Sequence, residues 1–258
     1  MSVRQSAVVF AASCLTVASL ASAATFTFQD GVGGYDGTQD LAVFGGGDSQ
    51  KNTGADISYN VGYGGKALIR FDNLGVLAGA TIQSATLTLY TSSNSYGTNP
   101  LDAATHPVSV YQMKDANVGW QQGTGHYDDS ADPGEACYDF LSYNTIPWAE
   151  PVSVQNWTTE GVATSLDTQT FTYLTDGLPV TFTLPVSLVT QWVNGTNPGL
   201  IIDSSEYYSG VQFQSSEFST ISGRPLLTIE ATPVPEPASM ALLGVLGLGG
   251  LIGRRRRA

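Results

Sequence analysis

The chain has 258 residues, 42% of them apolar and 12% charged, with 22 acidic against 10 basic side chains and a net charge of −12. Between Ala24 and Ala231 only Lys51, Lys66, Arg70, Lys114 and Arg224 stand against 21 acids, a net of −16. That balance excludes nucleic acid as a partner, because neutralising phosphates needs clustered Lys and Arg. It also repels acidic polymers such as alginate unless a cation bridges them.

Arg4, an apolar stretch from Ala7 to Leu20 and Ala21-Ser22-Ala23 before Ala24 follow the charged, apolar, small-residue order of a secretory signal peptide. Signal peptidase is expected to cut after Ala23. A lipoprotein site at Ala11-Ala12-Ser13-Cys14 would leave only Val8, Val9 and Phe10 as its continuous greasy core, short of the ~7 to 15 residues such cores need. Removing Cys14 leaves Cys137 alone, so no intramolecular disulfide forms and the exported domain depends on its core and on any bound ion. With His106 and His126 the only histidines, a zinc centre has few available ligands.

Between the ends, short runs rich in Val, Ile, Leu, Phe and Thr recur between Gly, Asn, Asp and Ser clusters, a β pattern with almost no helical period. Strands are predicted over Lys66 to Asp72, Gln83 to Thr91, Val108 to Met113, Val180 to Leu184, Gly199 to Asp203, Val211 to Gln214 and Pro225 to Glu230. Ala85, Leu87 and Leu89 alternate with threonines, as do Val180, Phe182 and Leu184, which marks sheets with one wet and one buried face, as in a sandwich. One segment breaks the rule: Leu188, Val189 and Trp192 share a helical face, Ser187 could cap it and Asn194-Gly195 would stop it. From Gly119 to Leu178 the pattern weakens around Asp128-Asp129 and Asp132-Pro133-Gly134-Glu135, where insertions and binding loops are expected.

At the C-terminus Pro233, Pro235 and Pro237 break regular structure, and a 16-residue apolar run from Ala238 to Gly253 leads into Arg254-Arg255-Arg256-Arg257. A helix over that run is about 24 Å long, short of a ~30 Å hydrocarbon core, so it spans only with snorkelling or local thinning. The arginines hold that end in the cytoplasm with the preceding domain outside. Val234-Pro235-Glu236-Pro237-Ala238-Ser239, the Leu/Gly run and the Arg cluster together resemble the PEP-CTERM sorting signal of Gram-negative bacteria. The resemblance implies an exosortase as processing partner, a transient inner-membrane anchor through the C-terminal helix, then release or transfer to the cell surface, and a link with exopolysaccharide and biofilm.

Ala67-Leu68-Ile69-Arg70-Phe71-Asp72 and Leu77 to Tyr90, followed by Val108 to Trp120, Trp192-Val193-Asn194-Gly195 with Gly199-Leu200-Ile201-Ile202, and Arg224 to Ile229, resemble in order the DNRLRE domains of bacterial and archaeal surface proteins. The six-letter motif that names those domains is absent here. This resemblance implies a jelly-roll β-sandwich related to carbohydrate-binding modules. The expected organisation is a signal peptide (1–23), an all-β sandwich with one short helix (24–231) and a sorting tail (232–258).

The domain lacks a Gly-x-Ser-x-Gly elbow, a His-Glu-x-x-His helix and a phosphate loop. With 21 acids a pair at glycosidase spacing arises by chance, so no catalytic residue is assigned. Binding of extracellular polysaccharide asks for exposed aromatic faces; Trp148, Trp157, Tyr207 and Tyr208 sit among polar neighbours and are the candidates, with Arg70 able to hold a hydroxyl or to pair with Asp72. Trp120 and Trp192 read as core plugs. The flexible stretch Asp30-Gly31-Val32-Gly33-Gly34-Tyr35-Asp36-Gly37-Thr38-Gln39-Asp40 offers three carboxylates to a structural calcium ion. Asp36 and Asp40 come first because related sandwiches carry such an ion where first and last strands meet; the alternative is a solvated Gly/Asp turn. Two other functions stay open: a purely structural matrix protein and a polysaccharide-degrading enzyme.

Overall fold

The computed structural model describes residues 22–62, 64–92, 106–149, 165–171, 176–204 and 211–233. Ala23–Pro233 form one compact unit. The signal peptide, the Pro-Glu-Pro segment with Pro235, Glu236 and Pro237, the apolar run and Arg254 to Arg257 lie outside the described residues. Among those described, no helix is long and apolar enough to cross a membrane.

The strands are β1 (Ala24–Phe28), β2 (Thr38–Phe44), β3 (Ser58–Val61), β4 (Gly65–Phe71), β5 (Thr81–Tyr90), β6 (His106–Gln112), β7 (Phe140–Ser142), β8 (Ile146–Pro147), β9 (Asp167–Phe171), β10 (Pro179–Leu184), β11 (Leu200–Ser204), β12 (Val211–Gln214) and β13 (Leu226–Thr232), with one helix, α1 (Val186–Val193), between β10 and β11. They build a four-stranded sheet, β1-β13-β5-β10, a five-stranded sheet, β2-β4-β11-β6-β9, and two small pairs, β12-β3 and β7-β8. Every pairing is antiparallel. The expected β-rich architecture with one short helix is present, and all seven predicted strands lie within a residue or two of observed ones.

The four-stranded sheet follows alternation except at one bulge. Leu87 and Leu89 on β5, Leu227 and Ile229 on β13, and Val180 and Phe182 on β10 are buried, while Thr181 and Thr183 face solvent. A register shift between Glu230 and Ala231 sets Ala231 opposite Ile82 rather than Gln83. The shift explains how Ile82 and Ala85, three apart, are both buried.

The five-stranded sheet behaves differently, because its strands are apolar on both sides. Ala42, Ala67, Ile69, Phe71, Leu200 and Ile202 join the main core shared with the other sheet. Their neighbours Leu41, Val43, Leu68 and Ile201 point the other way, into a second core with Met113, Trp120, Ala136, Leu141 and Trp148. Near-continuous hydrophobic runs are what a sheet buried on both faces requires. Residues 113–149, which overlap the stretch from Gly119 to Leu178 where insertions and binding loops are expected, therefore cover the outer face of this sheet.

Polar side chains pin the cover. Asn52 is fully buried and uses its whole amide: Nδ2 donates to the carbonyls of Gln122 (2.7 Å) and Ala136 (3.0 Å), and Oδ1 accepts from the N–H of Gly54 and Gly125 (3.0 Å each). Gly54 must be glycine, since a Cβ there would strike the carbonyls of Gln122 and Gly123. The cover also protects β2, an edge strand whose Asp40 N–H donates to Gln122 Oε1 and whose Ala42 N–H donates to Thr53 Oγ1; an unprotected row of such groups invites pairing with other chains.

The helix ends as the Asn-Gly pair suggests. Gly195 adopts φ +95°, its N–H reaches the Trp192 carbonyl and that of Thr196 reaches Gln191, which is a Schellman closure. Its start differs from expectation: Pro185 occupies the capping position, so Ser187 lies inside the first turn.

Trp120→Ala is expected to lower the unfolding free energy by about 3–5 kcal/mol, the usual cost of emptying a large aromatic site in a core. Thr181→Val on the open face is expected to change it by less than about 0.5 kcal/mol. Urea titration of both variants checks the contrast.

Candidate functional site

A cleft of about 550 Å³ opens where the chain enters β2 beside the rim of the cover. Asp30, Asp36, Thr38 and Gln39 form one wall, Gln121 to Thr124 and Pro133 to Glu135 the other, and Glu217 closes it. Among the described residues, no aromatic and no basic side chain lines it.

The walls follow from local chemistry. A tight turn, with Val32 N–H on the Gln29 carbonyl and Gly31 N–H on that of Tyr35, returns the chain so that Thr38 N–H reaches Asp30 Oδ1 (3.0 Å). Burial raises the pKa of Asp30, against the opposing pull of the Thr38 N–H and hydroxyl and of the Arg224 charge. Across the cleft Glu135 organises its own loop: Oε1 accepts from Thr124 N–H (2.8 Å) and Oε2 from Asp132 N–H (2.9 Å). Glu217 accepts from Gln122 Nε2 (3.1 Å). Asp36 is exposed.

The three candidate calcium ligands do not converge. Asp40 is buried at 1% exposure and is not among the residues that line the cleft with Asp30 and Asp36. There Oδ2 accepts from Ser216 N–H (2.8 Å) and Oδ1 from Ser216 Oγ (2.9 Å). Among the described residues no three acidic, histidine or cysteine side chains gather as a metal site, so the Asp30–Asp36–Asp40 set does not form one. Spacing along the sequence suggests a loop with three ligands; the segment is instead half turn and half strand.

The sugar candidates divide similarly. Trp148 is a correction: it is 5% exposed, packs in the second core and donates its indole N–H to the Cys137 carbonyl (2.9 Å). Its polar sequence neighbours belong to the loop, while the ring fills the space beneath the cover. Arg70 is also sealed. Its guanidinium makes two 2.9 Å bonds to Asp72, donates to the Trp120 carbonyl (2.7 Å) and lies 4.7 Å from the centre of the Trp120 ring. Of its two readings, the pair with Asp72 is the one formed. Trp120 and Trp192 are core plugs as expected, whereas Trp157, Tyr207 and Tyr208 lie outside the described residues. Of the groups that build the cleft, Asp30 and Asp36 are candidates from the sequence and Glu135 lies in a stretch expected to hold binding loops, whereas Gln39, Gln121, Gln122 and Glu217 carry no motif that sequence reading singles out.

Asp40 gives the domain a pH dependence. Burial, with the negative charges of Asp30 and Glu217 behind it, pushes its carboxyl up to about 7 despite the two Ser216 bonds. Asp203 is raised to about 6 by burial, tempered by Lys66. Between the unfolded value of 3.8 and about 7 the folded chain holds a proton that the unfolded chain lacks. Stability therefore falls as pH rises through that window, by about 1.4 kcal/mol for each pH unit. Melting temperature is expected to be higher at mildly acidic than at mildly alkaline pH. Asp40→Asn, which keeps an acceptor for Ser216 N–H, is expected to remove the slope between about pH 6 and 7, to leave the share of Asp203 below about pH 6, and to raise the alkaline melting temperature. An unchanged slope in the variant would contradict this assignment.

In comparisons with known proteins, residues 233–257 match the PEP-CTERM protein-sorting motif. No curated protein matches the chain. The motif marks an exported surface protein that an exosortase processes, with sorting at the membrane before arrival outside the cell.

Proposed function

We propose that the domain is a non-catalytic component of the cell surface or biofilm matrix that holds extracellular polysaccharide through the polar cleft. The observation that carries this reading is the lining itself, carboxylates, side-chain amides and hydroxyls around one opening. Sugar hydroxyls both donate and accept, and such groups answer both roles. The aromatic platform expected from the sequence has no support from Trp148, which is buried. The jelly-roll connectivity and the kinship with carbohydrate-binding DNRLRE domains belong to this proposal. So does the absence of catalysis.

Burial of Trp120, Trp148 and Trp192 favours a second reading, a passive matrix protein whose double core serves only durability. A polysaccharide-degrading enzyme has no comparable observation behind it. Calcium enters neither reading as a required group.

Affinity electrophoresis of Ala24–Pro233, the unit that carries both cores, separates the two readings. Retardation by at least one soluble polysaccharide, relieved by free oligosaccharide, is expected for a binding module; unchanged mobility in neutral, anionic and cationic gels alike would leave the passive reading. Chelator is expected to change neither result.

A further inference from the structure

The charge of the cleft narrows its ligand. Four carboxylates, Asp30, Asp36, Glu135 and Glu217, line it without any Lys, Arg or His among the lining residues, inside a domain of net charge −16. We propose that the cleft selects an ammonium-bearing polysaccharide, a polymer of amino sugars whose nitrogens are free rather than acetylated. The proposal rests on the polysaccharide reading above and names its substrate class.

Three observations lead there. First, the negative charge is dispersed: no three carboxylates gather closely enough for one metal ion among the described residues, whereas a chain with a positive charge on each sugar meets dispersed carboxylates one by one. Second, Thr38 lines the cleft, is 3% exposed, and its hydroxyl makes no hydrogen bond of full geometry, although it lies near the Asp30 carboxyl and the Tyr35 hydroxyl and partly offsets the burial that raises the pKa of each. Such a group calls for an explanation, and a ligand donor reaching past the rim would supply one. Third, acceptor capacity remains. A carboxylate offers about four lone-pair sites; Asp30 receives one backbone N–H, Glu217 one amide donor, and Asp36 is exposed and carries none of the hydrogen bonds that hold the rim.

Competing polymers fit less well. Uronic-acid chains are repelled by the same carboxylates, and neutral glucans can donate hydroxyls to them but leave their charge unmatched. A basic peptide would meet the charge as well, and the oligolysine arm of the test below separates it from a sugar; within the cleft Gln39 spends its carbonyl on Gln122 N–H and Gln121 its amide nitrogen on the Gly119 carbonyl. The Gln39 nitrogen and the Gln121 oxygen remain for ligand hydroxyls.

The test compares a fully deacetylated glucosamine hexamer, its N-acetylated counterpart, an oligogalacturonate and an oligolysine of equal charge, by titration calorimetry on Ala24–Pro233. The deacetylated hexamer is expected to bind at least about tenfold more tightly than the others, and to weaken as salt rises from about 0.05 to about 0.5 M. Asp36→Asn and Glu217→Gln are each expected to weaken it about tenfold, the loss of one charge-assisted bond, with melting temperature unchanged in Asp36→Asn. Equal binding of acetylated and deacetylated hexamers would overturn the proposal while leaving polysaccharide binding intact. Equal binding of oligolysine would overturn it in favour of charge alone. A calcium-induced rise in melting temperature lost in Asp36→Asn would overturn it in favour of a metal site, and failure of every saccharide to bind would overturn both readings.

Discussion

The five-stranded sheet must be covered twice, and the rest of the molecule follows from that requirement. Strands β2, β4 and β11 carry apolar side chains on successive residues, so one packed face would leave Leu41, Val43, Leu68 and Ile201 in water. Fully burying a side chain of this size contributes about 1.5–3 kcal/mol, enough to recruit the segment after β6 as a second layer. Without a disulfide, since Cys137 is free and buried, the domain is held by two cores back to back and by the polar pins between them.

Those pins explain why several polar residues serve structure. Arg70 emerges on the outer face of β4 beneath the cover, where an unpaired guanidinium would be costly. Asp72, the Trp120 carbonyl and the Trp120 ring together meet its charge, its donors and its flat face. Asn52 plays the neutral counterpart by filling four bonds within one side chain. Where the cover stops short of the entry to β2, its loop ends and the Asp30 turn leave the polar cleft. The candidate site is thus the unfilled margin of a structural solution, lined by groups that close the loops and still have acceptors to spare.

Legibility in the sequence tracked how far each element depends on local pattern. Strands β5 and β10 and helix α1 were readable because alternation, an i to i+4 face and an Asn-Gly stop are local signals. Strand β2 was not: Asp40 within Thr-Gln-Asp-Leu-Ala resembles the end of an acidic loop, and only pairing with β4 and the Ser216 bonds make it a buried strand position. Trp148 failed for the complementary reason. Its neighbours are polar, but exposure is decided by what lies above, and the sheet face beneath the cover is distant in sequence. The cleft was illegible because Asp30, Gln122 and Glu217 meet only after three separate segments have packed. The sorting motif, by contrast, is a linear signal, and it was legible over residues 233–257.

Cover and sheet should form one cooperative unit, since the cleft has fixed walls only if they do. Native-state hydrogen exchange tests this directly through the amides of Ala136 and Cys137 in the cover, bonded to the carbonyls of Gln121 and Phe140, and those of Leu68 and Ile69 on β4. Comparable protection of both sets, lost together as denaturant is added, is the result that a shared second core requires. Cover amides that exchange orders of magnitude faster than the β4 amides would contradict it, since residues 113–149 would then be a lid opening independently of the sheet.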